Sequence, residues 1–322
     1  MVQETQELLY FWVIGDMHFR AREQWKALHT PRMRTMFEDI HTVWDNESSP
    51  AFCVAPGDIV DTGHAANYAL AKRELAVELG EMPLYPGIGN HEYQPETLQE
   101  NGEEDALHTA QEFEAAWSKP VRYTWTAGPA NEVVCIMLDQ PNPFLAGQRV
   151  EDKHVIFSQE SLDFLDSSLT EHAQQHAIIF AHCPLHNTVL DRDPQQNLDD
   201  DSLDPFFFVE NSKEVRAILA KHRNAALYIS GHTHSGWGSP QLVCTEMLGG
   251  HPVTHINVMS PWYTGTQAAP HFYKDHVEMG TDKPDVLATF AFHVYQDRIL
   301  VRVRDHNTQC WLAEWEILLQ TQ

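Results

Sequence analysis

Five apolar runs in this chain break off into polar clusters of one chemical type. "LLYFWVI" leads into "GDMH", "PAFCVAP" into "GDIVDTG", "MPLYPGI" into "GNHEY", "HAIIFA" into "HCPLH" and "AALYIS" into "GHTHSGW". Short apolar runs bounded by turn residues read as strands. Between them lie segments of helical period: "RMRTMFEDIHTVW", "HAANYALAKRELAVEL", "NSKEVRAILAKHR" and "FSQESLDFLDSSL", the last with Ser158 as N-cap. Strands alternating with helices predict an α/β core. In open α/β sheets, sites form in the crevice beyond the carboxyl ends of the strands. Five such ends here carry Asp, Asn or His.

The segment "RYTWTAGPANEVVCIMLDQ" predicts two antiparallel strands around a "GPAN" turn. From about residue 285 to 322 the pattern changes to alternating strands, "LATFAFHVY", "RILVRVRD" and "TQCWLAEWEI". These are expected to complete a second sheet within one domain spanning 1–322. Two stretches resist assignment. Residues 92–107 are acidic and loop-like. Residues 186–210 carry an acidic run and three phenylalanines, and are a candidate lid because they follow a candidate ligand directly.

Composition narrows the partners. A formal charge of −25 repels polyanions, so non-specific nucleic-acid binding is not expected. The apolar stretches are too short to span a bilayer, and the first of them has no basic leader, so no membrane association is expected. Five scattered cysteines without a CxxC predict reduced thiols and a cytoplasmic setting.

Asp16 and His18 are two apart, a spacing that in extended backbone puts both side chains on one face. His232 and His234 repeat it. "GDIVD" supplies Asp58 and Asp61, "GNHE" supplies Asn90 and His91, and "AHCPL" supplies His182. Together they offer O and N donors without thiolate. Such a set suits Mn, Fe, Zn or Co, and mixed His/carboxylate ligation disfavours a plain Mg or Ca site.

The ordered set "DMH", "GDIVD", "GNHE", "AH", "GHTH" resembles the calcineurin-like metallophosphoesterase superfamily over residues 16–234. The resemblance implies a four-layer αββα sandwich of two mixed sheets flanked by helices. It implies two metal ions: one held by Asp16, His18 and His234, the other by Asn90, His182 and His232, with Asp58 bridging. His91 would face the substrate, with Asp61 hydrogen-bonded to it. Two divalent cations against two carboxylates and one hydroxide leave the centre net positive, so an anionic phosphate is attracted despite the acidic surface. The expected reaction is phosphoester hydrolysis by a hydroxide bridging the metals, with His91 protonating the leaving group.

Within the superfamily, protein phosphatases carry Arg where Thr62 stands, and purple acid phosphatases carry Tyr where Asp61 stands. Secreted 5′-nucleotidases share "GNHE" but bring a leader and a large C-terminal domain that this sequence does not suggest. The pattern is most similar to the cyclic-nucleotide and glycerophosphodiester phosphodiesterase branch, departing from it at Glu92, where Asp is commoner. The expected substrate is thus a small phosphodiester. The alternatives are a small-molecule phosphomonoesterase or nucleotidase, and a metal-binding module without turnover. Weaker candidates are Arg20, Arg22 and His186 near the substrate, and His64 behind the ligands. Trp262 and Tyr263 are set between base stacking and core packing. Cys183 is expected to be a buried inert thiol.

Overall fold

The computed structural model describes residues 6–95, 108–141, 155–189, 207–237, 241–263, 271–272, 277–278 and 286–320. From the N-terminus, β1 (Glu7–Val13) leads to α1 (Glu23–Asn46), β2 (Cys53–Ala55), α2 (Ala65–Leu79) and β3 (Leu84–Pro86). A second series follows: α3 (Ala110–Trp117), β4 (Tyr123–Ala127), β5 (Val133–Met137), α4 (Gln159–Glu171), β6 (His176–Phe180), α5 (Ser212–Leu219) and β7 (Ala225–Ser230). Then come β8 (Val243–Leu248), β9 (His251–Asn257) and a short ribbon of β10 (His271–Phe272) and β11 (Val277–Glu278). The chain closes with β12 (Ala288–Tyr295), β13 (Arg298–Asp305) and β14 (Cys310–Leu318).

Two six-stranded sheets result, ordered β14-β13-β12-β1-β2-β3 and β4-β5-β6-β7-β9-β8. The β1–β2–β3 and β5–β6–β7–β9 pairings are parallel; β4, β8 and the C-terminal strands pair antiparallel, so both sheets are mixed. The strands after residue 285 join the sheet of β1: β12 runs antiparallel to β1, with Phe11 opposite Phe292.

Alternation along the strands divides the interior into three cores. In β1, Tyr10 and Trp12 face α1 and α2, while Leu9, Phe11 and Val13 face the other sheet. In β5, Val133, Cys135 and Met137 face β1's sheet, while Val134 and Ile136 face α4 and α5. Two sheets packed face to face with helices outside both give the four-layer α/β sandwich.

Helix capping follows the sequence where a capping side chain is local. Ser158 accepts from the Ser161 amide at the start of α4, and Thr109 with Glu112 forms a capping box on α3. Helix α1 differs. Its period suggests a start near Arg32, yet it begins at Glu23 and runs through Pro31. Pro31 has no amide to donate, but Trp25 and His29 bury against the loop after β1 and hold the added turns in place. Of the segment 186–210, residues 190–206 lie outside the described residues. Its two ends are anchored, with Val209 bridging to both Leu185 and Val155. Of the segment 92–107, residues 96–107 also lie outside them.

Candidate dinuclear metal centre

The loops after β1, β2, β3, β6 and β7 meet where the carboxyl ends of the two parallel strand sets face each other. The β1 loop is zipped onto the β2 loop. The His18 amide donates to the Asp58 carbonyl at 3.0 Å, the Phe19 amide to Ile59 at 2.8 Å, and the Asp61 amide back to Phe19 at 3.0 Å. The side chains do not share a face for the reason the spacing suggests. Beyond Val13 the backbone leaves the strand, and Asp16, His18, Asp58, His232 and His234 all take left-handed φ angles between 46° and 71°. Each such residue is strained by about 1–3 kcal/mol, a cost that native structures tolerate where a side chain must be aimed. Glycines precede four of the clusters, and at each the space requires one. A Cβ on Gly231 would strike the Asp16 carboxylate, and one on Gly89 the Asp58 carboxylate.

These loops bring all seven anticipated donors together. His18 Nε2 and His234 Nε2 lie 2.9 Å apart, and Asp16 Oδ1 is 3.7 Å from His234 Nε2. On the other side, His182 Nε2 lies 3.0 Å from Asn90 Oδ1 and 3.1 Å from His232 Nδ1. Asp58 Oδ2 stands between the two groups, 3.2 Å from His182 Nε2 and 3.9 Å from His18 Nε2. In each group donor atoms converge within 4.8 Å of one another. Donors about 3 Å apart are what a shared cation with bonds of about 2.0–2.2 Å would gather.

The donor set fits cations on a further count. Asp16 Oδ1 accepts the His232 amide at 2.9 Å, but Asp16 Oδ2 is buried without a hydrogen-bond partner. Orphaned buried acceptors call for a ligand. Burial and the charge of Asp58 push the Asp16 carboxyl up to about 7, against the pull of His182. Asp58 is held well below the carboxylate range because His182, His91 and His18 outweigh its burial. Burial pulls His182 down, but Asp58 and Asp16 lift it to about 9. Two buried carboxylates thus lean on protons and imidazoles for positive charge that cations would replace.

His91 sits beside this cluster. Its Nδ1–H donates to the Asp61 backbone carbonyl at 2.8 Å, leaving Nε2 facing Asp58 Oδ2 at 4.0 Å. Against its burial, Asp58 and Asp61 raise its pKa. The anticipated Asp61–His91 contact therefore runs through the main chain. The Asp61 carboxylate turns to Arg20 instead, with Nη1 donating to Oδ2 at 2.8 Å.

The weaker candidates separate. Arg20 is buried at 5% exposure. Arg22 precedes α1 as its N-cap residue. His64 caps α2, accepting from the Ala66 amide. The His186 ring packs on that of Phe208, with centroids 4.3 Å apart. Trp262 is core, buried against Trp25 and His29, whereas the half-buried Tyr263 ring lies 4.2 Å from that of His234. Cys183 is a buried free thiol pushed well up by burial.

Several supports escaped the sequence reading. The Glu92 carboxylate is fully buried and accepts the amides of Asp58, Val60 and Gly89, tying the β2 loop to the β3 loop. Asn257 Nδ2 donates to the Gly231 carbonyl at 2.6 Å, and the Ser260 hydroxyl donates to the Asp16 carbonyl at 2.8 Å. Phe207 places its ring 5.7 Å from that of His232. Glu92 was signalled by its place in "GNHE"; Asn257 ends β9 and Ser260 lies in the loop just after it, and no local pattern marks either as a support.

Residues 9–236 match the family described as calcineurin-like phosphoesterase, and the chain belongs to that family. The family's description names phosphoester chemistry, and the seven converging Asp, Asn and His side chains are of the kind a metal-dependent member of it would use. Among curated proteins it is similar to a manganese-dependent ADP-ribose/CDP-alcohol diphosphatase from Danio rerio, 28% identical over 126 residues. That match spans 38% of this chain and 34% of the relative. Among solved structures it resembles a dimetal phosphatase from Danio rerio (TM-score 0.61, 16% identity, 98% of this chain and 100% of that one). It also resembles the purple acid phosphatase PPD1 of Lupinus luteus (TM-score 0.58, 12% identity, 97% of this chain and 54% of that one). Among the described residues no helix is long and apolar enough to cross a membrane.

Proposed function

We propose that the chain hydrolyses a small phosphodiester at a centre of two divalent metals, with His91 protonating the leaving group. Asp16, His18 and His234 would hold one cation, Asn90, His182 and His232 the other, and Asp58 both. The carrying observation is the placement of Asp58 Oδ2 between two donor clusters with His91 Nε2 turned toward it. Bound cations would supply Lewis-acid activation of water and of the phosphoryl oxygens. The chain's own residues do the rest. The main-chain bond at Nδ1 keeps one proton there and holds the ring with Nε2 toward the reacting side, where the second proton of the imidazolium would be given up. Glu92 and the zipped loops tie the donor-bearing loops to one another. Asn90 contributes a neutral oxygen, which preserves net positive charge for an anionic substrate.

Preference for a diester is supported by Thr62. Its hydroxyl accepts from Asn67 at 2.7 Å, so this position brings no guanidinium for the extra charge of a monoester. The curated relative acts, by its name, on ADP-ribose and CDP-alcohols. Their phosphates are each substituted on both sides, which extends the reading to diphosphate diesters. Manganese is the metal to try first, since that relative is named for it. The free thiols support a reducing, cytoplasmic setting, and the small phosphoester is the one partner proposed.

The test is hydrolysis by metal-stripped protein reloaded with Mn²⁺, comparing bis(p-nitrophenyl) phosphate with p-nitrophenyl phosphate. Faster diester cleavage is expected. Faster monoester cleavage would point to a phosphatase or nucleotidase. Bound metal with no cleavage of either would point to a binding module.

A further inference from the structure

Arg20 follows the first metal-binding motif, and a guanidinium there suggests a phosphate contact. The structure gives it a partner of another kind. Arg20 is inserted between the first turn of α1 and the site loops. Its guanidinium carbon lies 5.5 Å from the Trp25 ring centroid, and Trp25 Nε1 donates to the His18 carbonyl at 3.0 Å. Its Nη1 meets Asp61 Oδ2 at 2.8 Å, with both side chains at least nine-tenths buried. The other carboxylate oxygen, Asp61 Oδ1, lies 3.6 Å from His18 Nδ1 and 3.7 Å from His91 Nδ1. The same residue's carbonyl takes the His91 Nδ1 proton at 2.8 Å.

We propose that Arg20 is a positioning residue for His91 and acts through Asp61. The inference rests on the reading of His91 as the proton donor to the leaving group. Two acceptors on one residue compete for a single imidazole N–H, the carbonyl at 2.8 Å and the carboxylate at 3.7 Å. A carboxylate is the stronger acceptor, since charge-assisted bonds are roughly twice as strong as neutral ones. The carbonyl keeps the proton because Arg20 holds the carboxylate rotamer, and a guanidinium fixes a carboxylate more firmly than an ammonium does. Without Arg20 the Asp61 carboxylate is a buried charge with two imidazole nitrogens in reach. Rotation toward His91 Nδ1 would swing the ring and carry Nε2 out of line with Asp58 Oδ2. A misplacement of about 1 Å is enough to lower a catalytic rate by about 100-fold.

The experiment compares Arg20→Met, Arg20→Lys, Asp61→Asn, the double variant R20M/D61N and His91→Ala, all as the full chain. Two methyl phosphodiesters are used, one with a p-nitrophenyl leaving group and one with an alkyl leaving group. The structural readout is the ¹⁵N signal of His91 Nδ1 in zinc-loaded protein, assigned by its loss in His91→Ala. Arg20→Met is expected to keep its bound metal and to shift or broaden that signal. It should lower kcat on the alkyl substrate by about 10–100-fold while changing the p-nitrophenyl rate by less than about threefold. Arg20→Lys should recover part of the loss.

The double variant carries no unpaired buried charge, so it remains informative where Arg20→Met folds poorly. Its selectivity should equal that of Asp61→Asn alone, because residues acting as one unit are not additive. Equal losses on both substrates, a raised KM on both, an unmoved His91 signal, or a double variant worse than Asp61→Asn would each overturn the inference. If His91→Ala shows no leaving-group selectivity, the proton-donor reading falls and takes the Arg20 role with it. If His91→Ala is selective and Arg20→Met is not, the Arg20 inference alone falls.

Discussion

Helix α1 touches two buried clusters of aspartate and histidine. Near its start it packs on the loop that carries Asp16 and His18; farther along, its Asp39 meets Arg304 and His306 of the C-terminal strands. In the second cluster the buried side chains of Asp39, His306 and Thr289 are paired with one another or with their neighbours. Asp39 takes two bonds from Arg304 at 2.8 Å and one from His306 Nδ1 at 2.9 Å. His306 Nε2 meets the Thr289 hydroxyl at 2.7 Å, which also accepts from Trp12 Nε1. In the first cluster the carboxylates outnumber any fixed counter-charge, Asp16 Oδ2 is orphaned, and five residues sit at left-handed φ. A closed network is a brace that ties α1 to β12 and β13. An open, strained and anionic one is a receptacle for cations. The chain thus puts similar residue types to opposite uses, and satisfaction of each atom tells them apart where residue identity does not.

Three expected outcomes can break that comparison. The largest effect belongs to Asp58→Ala, which removes the oxygen shared by both donor groups. It should lower the metal-to-protein ratio and abolish metal-dependent hydrolysis. Unchanged metal content would sink the bridging role. Next comes Asp39→Ala, which leaves the half-buried Arg304 and the buried His306 without their carboxylate. A loss of about 3–5 kcal/mol in denaturant unfolding is expected, with turnover per folded molecule unaltered. A variant as stable as wild type but slower would mean the brace communicates with the site.

The smallest effect is in acid. Arg304 and His306 outweigh burial and hold the Asp39 carboxyl at about 2. Because the folded value is depressed, its stabilisation is fully present above the unfolded carboxylate value of about 3.9 and is lost as pH falls toward about 2. The melting-temperature gap between wild type and Asp39→Asn should therefore narrow across that window. A gap that is constant with pH would show that the pair is not what titrates.

Much of the site was legible in the sequence because its chemistry imposes residue type. Cation donors must be Asp, Asn or His, and they fall in loops after strands whose apolar runs are equally plain. The reason given for Asp16 and His18 sharing a face was wrong: both are aimed by left-handed backbone outside the strand. Asp61 was tied to His91 by its motif, but which of its acceptors makes the bond depends on Arg20, whose chemistry alone suggested a phosphate contact. Trp262 and Tyr263 are adjacent in sequence, yet one is core and the other lies against His234, a division set by the packing of α1.

The sequence by itself determined the α/β alternation, the donor types and their order along the chain, since strand period and ligand chemistry are both written locally. The tertiary structure decided the rest. It chose β1 as the partner of the C-terminal strands, sent Glu92 beneath the β2 loop, and turned the Asp61 carboxylate to Arg20. Each of these pairs groups far apart along the chain, through complementarity of shape and charge that only the folded chain presents.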